Sequence, residues 1–204
     1  MSRYWLNGLI RSYSGTVPEP SPYVYNYDKI NNRLLATRDG QHIITLSNDS
    51  IHSFVLADSN NLYLFEKIPL ISDQQFFQPV VKTDNGYCLY KRLKTKRHSS
   101  GIQSPADDGY TLDRYDEYSD VYEYYVIFPD GKKYSKVSLK RHSIRKKLKA
   151  SATELDDFFS RHDGPLTEEV LARLMQYFND KRSCCHFTFQ QNPDLSEPDN
   201  LSVN

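Results

Sequence analysis

The sequence predicts an α+β fold: an antiparallel β-meander or partly open barrel of about eight or more strands, followed by two or three C-terminal helices. The chain holds 16 Tyr and 10 Phe among 204 residues, and large aromatic rings favour strands. Short segments of alternating apolar and polar residues recur up to about residue 139. After that point the apolar residues recur at helical spacing.

Four candidate strands precede Ser47, and more follow before the helical region. In chain order the candidates are YWLNGLIRSY, YVYNYD, RLLAT, QHIITL, IHSFVLA, LYLFEKI, FFQPVVKT, YCLYKRLKT, VYEYYVIF and KYSKVSL. Asp39-Gly40, Asn85-Gly86 and Asp130-Gly131 predict tight turns, and Asn85-Gly86 is expected to take positive φ values. Pro79 cannot donate to a β-ladder, so we expect it at an edge or a bulge.

Between Lys96 and Asp120 the residues are polar and show no period, which predicts a long mobile loop. Three helices are then expected. Ser143 is the predicted N-cap of a short basic helix over IRKKLKA. Ser151 or Thr153 is the predicted N-cap of a second helix over SATELDDFFSRH, and Thr167 begins a third over TEEVLARLMQYFND. We therefore predict one domain over residues 1–180, with the meander in 4–139 and helices in 143–180, and a disordered tail over 181–204.

Charge and cysteine content exclude several classes of protein. With 26 Lys+Arg and 26 Asp+Glu the net charge is zero, so no global field attracts a polyanion. Three cysteines do not make a disulfide framework. No apolar stretch is long enough for a membrane span, and residues 1–14 lack the apolar core of a signal peptide.

No catalytic residue, metal ligand or cofactor is predicted. The chain has no G-x-S-x-G elbow, glycine-rich phosphate loop or H-E-x-x-H motif. Cys184-Cys185-His186 is the closest group of thiols and imidazole, but adjacent cysteines rarely converge on one ion. Cys88 is expected to be a small core residue.

Two basic stretches face an acidic one in the sequence. Lys91–His98 could form a surface for single-stranded nucleic acid, yet alternation would divide its charges between two faces, so a solvated strand end is favoured. Lys132–Lys149 is also basic, and Asp107–Glu123 is acidic. The acidic stretch either neutralises the basic stretches or acts as a regulatory loop that docks on a basic partner site.

The predicted binding surface combines tyrosines of the acidic stretch with neighbouring cations. Its residues are Tyr110, Tyr115, Tyr118, Lys91, Arg92 and Lys94. Tyrosine supplies a large contact area at low entropic cost, although strand packing also explains a high tyrosine content.

The chain resembles a family of uncharacterised, usually exported Bacteroidetes proteins over residues 4–180. The resemblance rests on W-x-x-G-x-I from Trp5, YNYD-x-x-x-N-x-LL from Tyr25, F-x-L-x-D from Phe54, LYKRLKT from Leu89, YEYYV from Tyr122, K-x-S-I-x-K-x-L from Lys140 and LMQYFND from Leu174. It implies a periplasmic or cell-surface location, and the lack of an evident export signal keeps a cytoplasmic location as the alternative. It implies no activity and no functional residue.

The leading hypothesis is a non-enzymatic envelope or secreted module that binds a macromolecule or a glycan. One alternative is a hydrolase whose site assembles only in three dimensions, with carboxylates of 107–120 and His98 or His142. A weaker alternative, which the neutral net charge disfavours, is nucleic-acid binding through the basic stretches. Oligomeric state is left open.

Overall fold

The computed structural model describes residues 5–16, 21–106, 109–148 and 152–186, with the backbone alone at 16, 100–106, 109–115, 152 and 183–186. The strands in these ranges are β1 (Asn7–Ser12), β2 (Gly15–Thr16), β3 (Val24–Asp28), β4 (Arg33–Thr37), β5 (Ile43–Thr45), β6 (Ile51–Ala57), β7 (Leu62–Ile68), β8 (Ser72–Val81), β9 (Cys88–Ala106), β10 (Gly109–Ile127) and β11 (Tyr134–Val137). The helices are α1 (Arg141–Lys147), α2 (Ala152–Ser160) and α3 (Glu168–His186), with a 3₁₀ turn at Asn48–Ser50.

The strands form two antiparallel sheets, which confirms the predicted α+β class. The larger sheet has the order β11-β10-β9-β8-β7-β6-β1-β2, and the smaller one has the order β3-β4-β5. Strands β6 to β11 are therefore consecutive neighbours, as in a meander. A backbone bridge joins the two sheets, because Leu6 and Tyr25 each donate an N–H to the other's carbonyl oxygen at 2.8 Å.

The tight turns have different outcomes. Gly40 (φ 76°) follows β4 and Gly131 (φ 64°) lies between β10 and β11, as turns with glycine at positive φ require. The hairpin predicted around Asn85-Gly86 is present, because β8 and β9 on either side pair antiparallel, but neither residue has the expected positive φ. Pro79 lies beside a register shift between β8 and β9, which confirms the expected bulge.

The predicted mobile loop is instead a long hairpin. β9 and β10 are 19 residues each, and they pair continuously from Cys88 opposite Ile127 to Ala106 opposite Gly109. Cross-strand contacts support the pairing: the Thr95 hydroxyl donates to Asp120 at 2.7 Å, and the guanidinium of Arg97 lies 2.9 Å from Asp116. The sequence shows no period here because the hairpin extends past the sheet.

Much of the aromatic content packs in the interior. Between the two sheets, the ring of Tyr27 lies 5.6 Å from that of Phe54, 4.9 Å from Phe65 and 6.3 Å from Phe76, measured between centroids. Further buried tyrosines are Tyr25, Tyr87, Tyr90, Tyr124 and Tyr125. These rings stabilise the fold, and packing accounts for most of their surface.

The helices cover one face of the strands β8 to β11. Their apolar side chains form a core with that face, made of Leu89, Tyr124, Val126, Ile144, Leu155, Phe158, Phe159, Leu171, Leu174, Met175 and Phe178, among others. Glu168, the first residue of α3, fixes the helix to the sheet: it accepts from Tyr124 Oη at 2.8 Å and pairs with Lys91 Nζ at 2.7 Å. No helix within the described ranges has the length and apolar character of a membrane span.

All three helices differ from their predicted boundaries. Residue Lys140 is the N-cap of α1, so the prediction for Ser143 is wrong: its hydroxyl lies in the first turn and accepts from the Ser138 N–H at 3.2 Å. Thr153 lies inside α2, and Ser151 is outside the described residues. α3 continues to His186, and the rest of the predicted tail is outside the described residues as well.

Candidate functional site

A cleft of about 590 Å³ lies between the two sheets at the base of the β9–β10 hairpin. Its volume falls within the roughly 300–1,000 Å³ that is usual for small-ligand sites. Apolar and polar side chains line it together: Leu6, Tyr27, Lys29, Leu56, Asp58, Ser59, Asn60, Asn61, Tyr63, Phe65, Gln78, Lys91, Leu93 and Tyr122. The cleft thus combines an apolar wall with several polar side chains.

One wall is the turn between β6 and β7. The carboxylate of Asp58 holds the turn closed by accepting from the backbone N–H groups of Asn60 at 2.8 Å and Asn61 at 2.7 Å. Its other oxygen accepts from the Tyr63 hydroxyl at 3.0 Å. These hydrogen bonds hold the pKa of Asp58 below its usual value, and they fix the polar rim that Ser59, Asn60 and Asn61 present.

The opposite wall is one face of the hairpin, where Leu93 and Tyr122 are cross-strand neighbours. The ring of Tyr122 is 49% exposed. Lys91 lies beside it, with Nζ 5.6 Å from the ring centroid and 2.7 Å from the carboxylate of Glu168. A helix, a strand and an aromatic ring therefore position this ammonium, and its charge is already compensated.

An ion pair closes one end of the cleft by joining the sheets. Lys29, which follows β3, places Nζ 2.8 Å from the carboxylate of Asp120 on β10, and Thr95 donates to that carboxylate as well. The hydrogen bond from Lys29, followed by that from Thr95, lowers the pKa of Asp120. Lys29 and Asp120 are 91 residues apart in the sequence, so this end of the cleft forms only when the chain folds.

The structure divides the predicted binding residues. Lys91 lines the cleft, as does Leu93 two residues later, whereas Arg92 and Lys94 alternate with them onto the other face of the hairpin. Tyr118 is 54% exposed and lies opposite Arg97, farther along the hairpin than the cleft.

The remaining two predicted tyrosines belong to the outer part of the hairpin. The backbones of Tyr110 and Tyr115 pair with Pro105 and Ser100, and their side chains are outside the described residues.

Sequence reasoning missed most of the cleft. The sequence predicts Tyr122 only as part of the strand VYEYYVIF, and it predicts no site between IHSFVLA and LYLFEKI. Lys29 carried no signal at all. The alternation of β10 indicates which side chains share a face, but it does not reveal that β3 and the β6–β7 turn approach that face.

Among the described residues, the groups named for the hydrolase alternative do not line the cleft, and the backbone of His98 pairs with that of Glu117 on the hairpin. His98 contacts Ser119 at 3.0 Å on the hairpin, His142 belongs to α1, and no histidine is among the residues that line the cleft. Within the described part of the chain, no three His, Cys, Asp or Glu side chains converge as a metal site would require.

The basic stretches make internal ion pairs. On the face of the hairpin away from the cleft, Arg92 lies 3.5 Å and Lys136 2.7 Å from the carboxylate of Glu123. Arg145 pairs with Asp156 at 2.9 Å. Both basic stretches therefore contact acidic residues of the same chain.

Similarity to known proteins adds nothing further. No family model, curated protein or solved structure matches the chain. The resemblance to exported Bacteroidetes proteins stays a prediction, and the function is argued from the cleft.

Proposed function

We propose that this protein is a non-enzymatic binding module that holds an uncharged glycan in the cleft between its two sheets. The observation that carries the proposal is the convergence of an exposed aromatic ring, Tyr122, with the polar turn of Asn60 and Asn61 across a space of about 590 Å³. Ligand sites combine an apolar wall with a few fixed polar groups in this way.

The charges of the cleft favour a neutral ligand. Lys29 is paired with Asp120 and Lys91 with Glu168, at 2.8 and 2.7 Å. The carboxylate of Asp58 accepts hydrogen bonds from its own turn. Because each of these charges has a partner in the protein, an anionic or cationic ligand would have to break an existing pair.

The polar groups favour a ligand with many hydroxyls. The side-chain amides of Asn60, Asn61 and Gln78 line the cleft, and an amide offers both donors and acceptors. Leu93 and Tyr122 supply the apolar surface on the facing wall. A sugar ring has an apolar face and a polar rim, so it complements both walls at once.

The proposed setting is the cell envelope or the extracellular space. It rests on the resemblance to exported proteins, and binding of an envelope glycan is consistent with that location. A cytoplasmic glycan-binding protein is the alternative.

Glycan-array binding with two matched variants tests the proposal. The purified chain is expected to bind neutral oligosaccharides, and Tyr122→Ala should weaken binding at least about tenfold, since a central aromatic contact contributes about 2 kcal/mol or more. Tyr134→Ala is the control, because this tyrosine is 41% exposed and its strand β11 pairs with the far end of β10. It should bind as the parent chain does.

Two results would contradict the proposal. One is an array on which the folded chain binds no neutral glycan. The other is binding that Tyr122→Ala and Tyr134→Ala reduce equally, because such a result would place the contact outside the cleft. Circular dichroism of both variants would establish that they are folded.

A further inference from the structure

The outer part of the β9–β10 hairpin is a two-stranded ribbon whose edges are unpaired within the described chain. β8 pairs with β9 at Leu89, Tyr90 and Lys91, and β11 pairs with β10 only from Tyr124 onward. Beyond these positions each strand continues for 15 residues, roughly 50 Å at ~3.3 Å per residue. Each edge offers backbone N–H and C=O groups that an added strand could pair with.

The two edges differ in charge. From Arg92 to Ala106, β9 contains Lys and Arg and no carboxylate. From Gly109 to Glu123, β10 contains five Asp and Glu and a single Arg. The ribbon therefore has a basic edge and an acidic edge, and its internal ion pairs join the two strands across their shared ladder.

This pattern opposes symmetric pairing of two copies. Two β9 edges would place cations opposite cations, and two β10 edges would place carboxylates opposite carboxylates, which is destabilising in cross-strand neighbours. Charge on an edge strand is a common protection against self-association. Charge of one sign on an edge strand does not, however, prevent pairing with a strand that carries the opposite charge.

We propose that the free edge of β9 binds an extended acidic segment of a partner protein by strand addition. The backbone of the partner would pair with β9 beyond Lys91, and its carboxylates would lie beside Lys94 and Lys96, which share one face of the ribbon. Lys96 and Arg97 are exposed, and Lys94 is half-buried. Nucleic acid is disfavoured, because β10 places Asp116, among other carboxylates, within one strand spacing of these cations.

Hydrogen exchange on the full chain tests this surface directly. The probe is a short peptide that alternates Glu and Val, and the matched peptide alternates Lys and Val. The Glu peptide should slow exchange of backbone amides within residues 92–99 and leave the cleft turn at Asn60 and Asn61 unchanged. The Lys peptide should not protect residues 92–99.

Charge reversal identifies the side chains involved. Lys94→Glu with Lys96→Glu should weaken binding of the Glu peptide by about tenfold or more, since attractive cross-strand neighbours become repulsive. The corresponding Gln variant should show a smaller loss in the same direction. Lys146→Glu with Lys147→Glu, the same charge change on exposed residues of α1, should bind as the parent does.

Several outcomes would overturn the proposal. Protection confined to β10, equal binding of both peptides, or binding unaffected by reversal at Lys94 and Lys96 would each do so. If sedimentation shows self-association and the charge reversal abolishes it, the edge binds a second copy of the chain. Retention on a heparin column that depends on Lys94 and Lys96, without peptide binding, would assign it to a polyanion.

Discussion

Replacement of Gly86 by alanine tests how the helices are fixed to the sheet. The side chain of Asn179 on α3 acts as a partner for the backbone before β9: its Oδ1 accepts from the Tyr87 N–H at 2.7 Å, and its Nδ2 donates to the Tyr87 carbonyl at 3.0 Å. A Cβ at residue 86 would overlap with that Oδ1. The amide of Asn179 must therefore move, and both hydrogen bonds are lost.

The expected loss of stability follows from these contacts. Two hydrogen bonds at about 1 kcal/mol each amount to about 2 kcal/mol. Gly86 has no positive φ, so alanine at this position restricts the unfolded chain and returns about 0.4–1 kcal/mol. We expect Gly86→Ala to lower the free energy of unfolding by about 1–1.5 kcal/mol.

A double-mutant cycle isolates the cause. In an Asn179→Ala background the clash with the amide is absent, and the methyl of Thr83, 2.9 Å from the new Cβ, must adjust. There Gly86→Ala should change stability by less than about 0.5 kcal/mol. Urea unfolding followed by circular dichroism measures all four proteins. Equal destabilisation in both backgrounds would refute the reasoning, as would a Gly86→Ala protein as stable as its parent.

Two further predictions concern the core and the end of the cleft. Leu174→Ala, at a side chain with no exposure beneath the sheet, should lower the free energy of unfolding by about 2–5 kcal/mol in urea melts, and a loss below 1 would contradict the described packing. The hydrogen bonds from Lys29 and Thr95 lower the pKa of Asp120 in the folded chain. The ionised carboxylate should therefore stabilise the fold at a pH above the pKa of an unfolded Asp, and this contribution should disappear as the pH falls through the pKa of the folded state. Stability of the parent and of Asp120→Asn should thus converge in acid, and a constant difference from pH 7 to pH 2 would count against the ion pair with Lys29.

Local patterns predicted much of the sheet. The candidates IHSFVLA and LYLFEKI coincide with β6 and β7, because both alternate and the polar turn after Ala57 separates them. The sequence likewise predicts the Asp130-Gly131 turn, because the turn needs a residue with a positive φ and Gly131 supplies it. These features depend only on residues close together in the chain.

Features that depend on distant residues were not predicted. The sequence predicts a loop beyond Lys96 because the residues there are polar and show no period, whereas the structure pairs a basic strand with an acidic one. Asn85-Gly86 looked like a tight turn, yet the glycine serves the close approach of Asn179. The cleft likewise depends on Lys29 reaching Asp120 across 91 residues.

Binding of a neutral glycan in the cleft between the sheets can be mapped residue by residue. Backbone chemical-shift mapping by NMR, with the neutral oligosaccharide that binds most strongly on the array, tests it most directly. We expect changes that cluster at Asn60, Asn61, Leu93 and Tyr122. Changes that cluster instead on the helices or on the Lys94 face of the hairpin would contradict it.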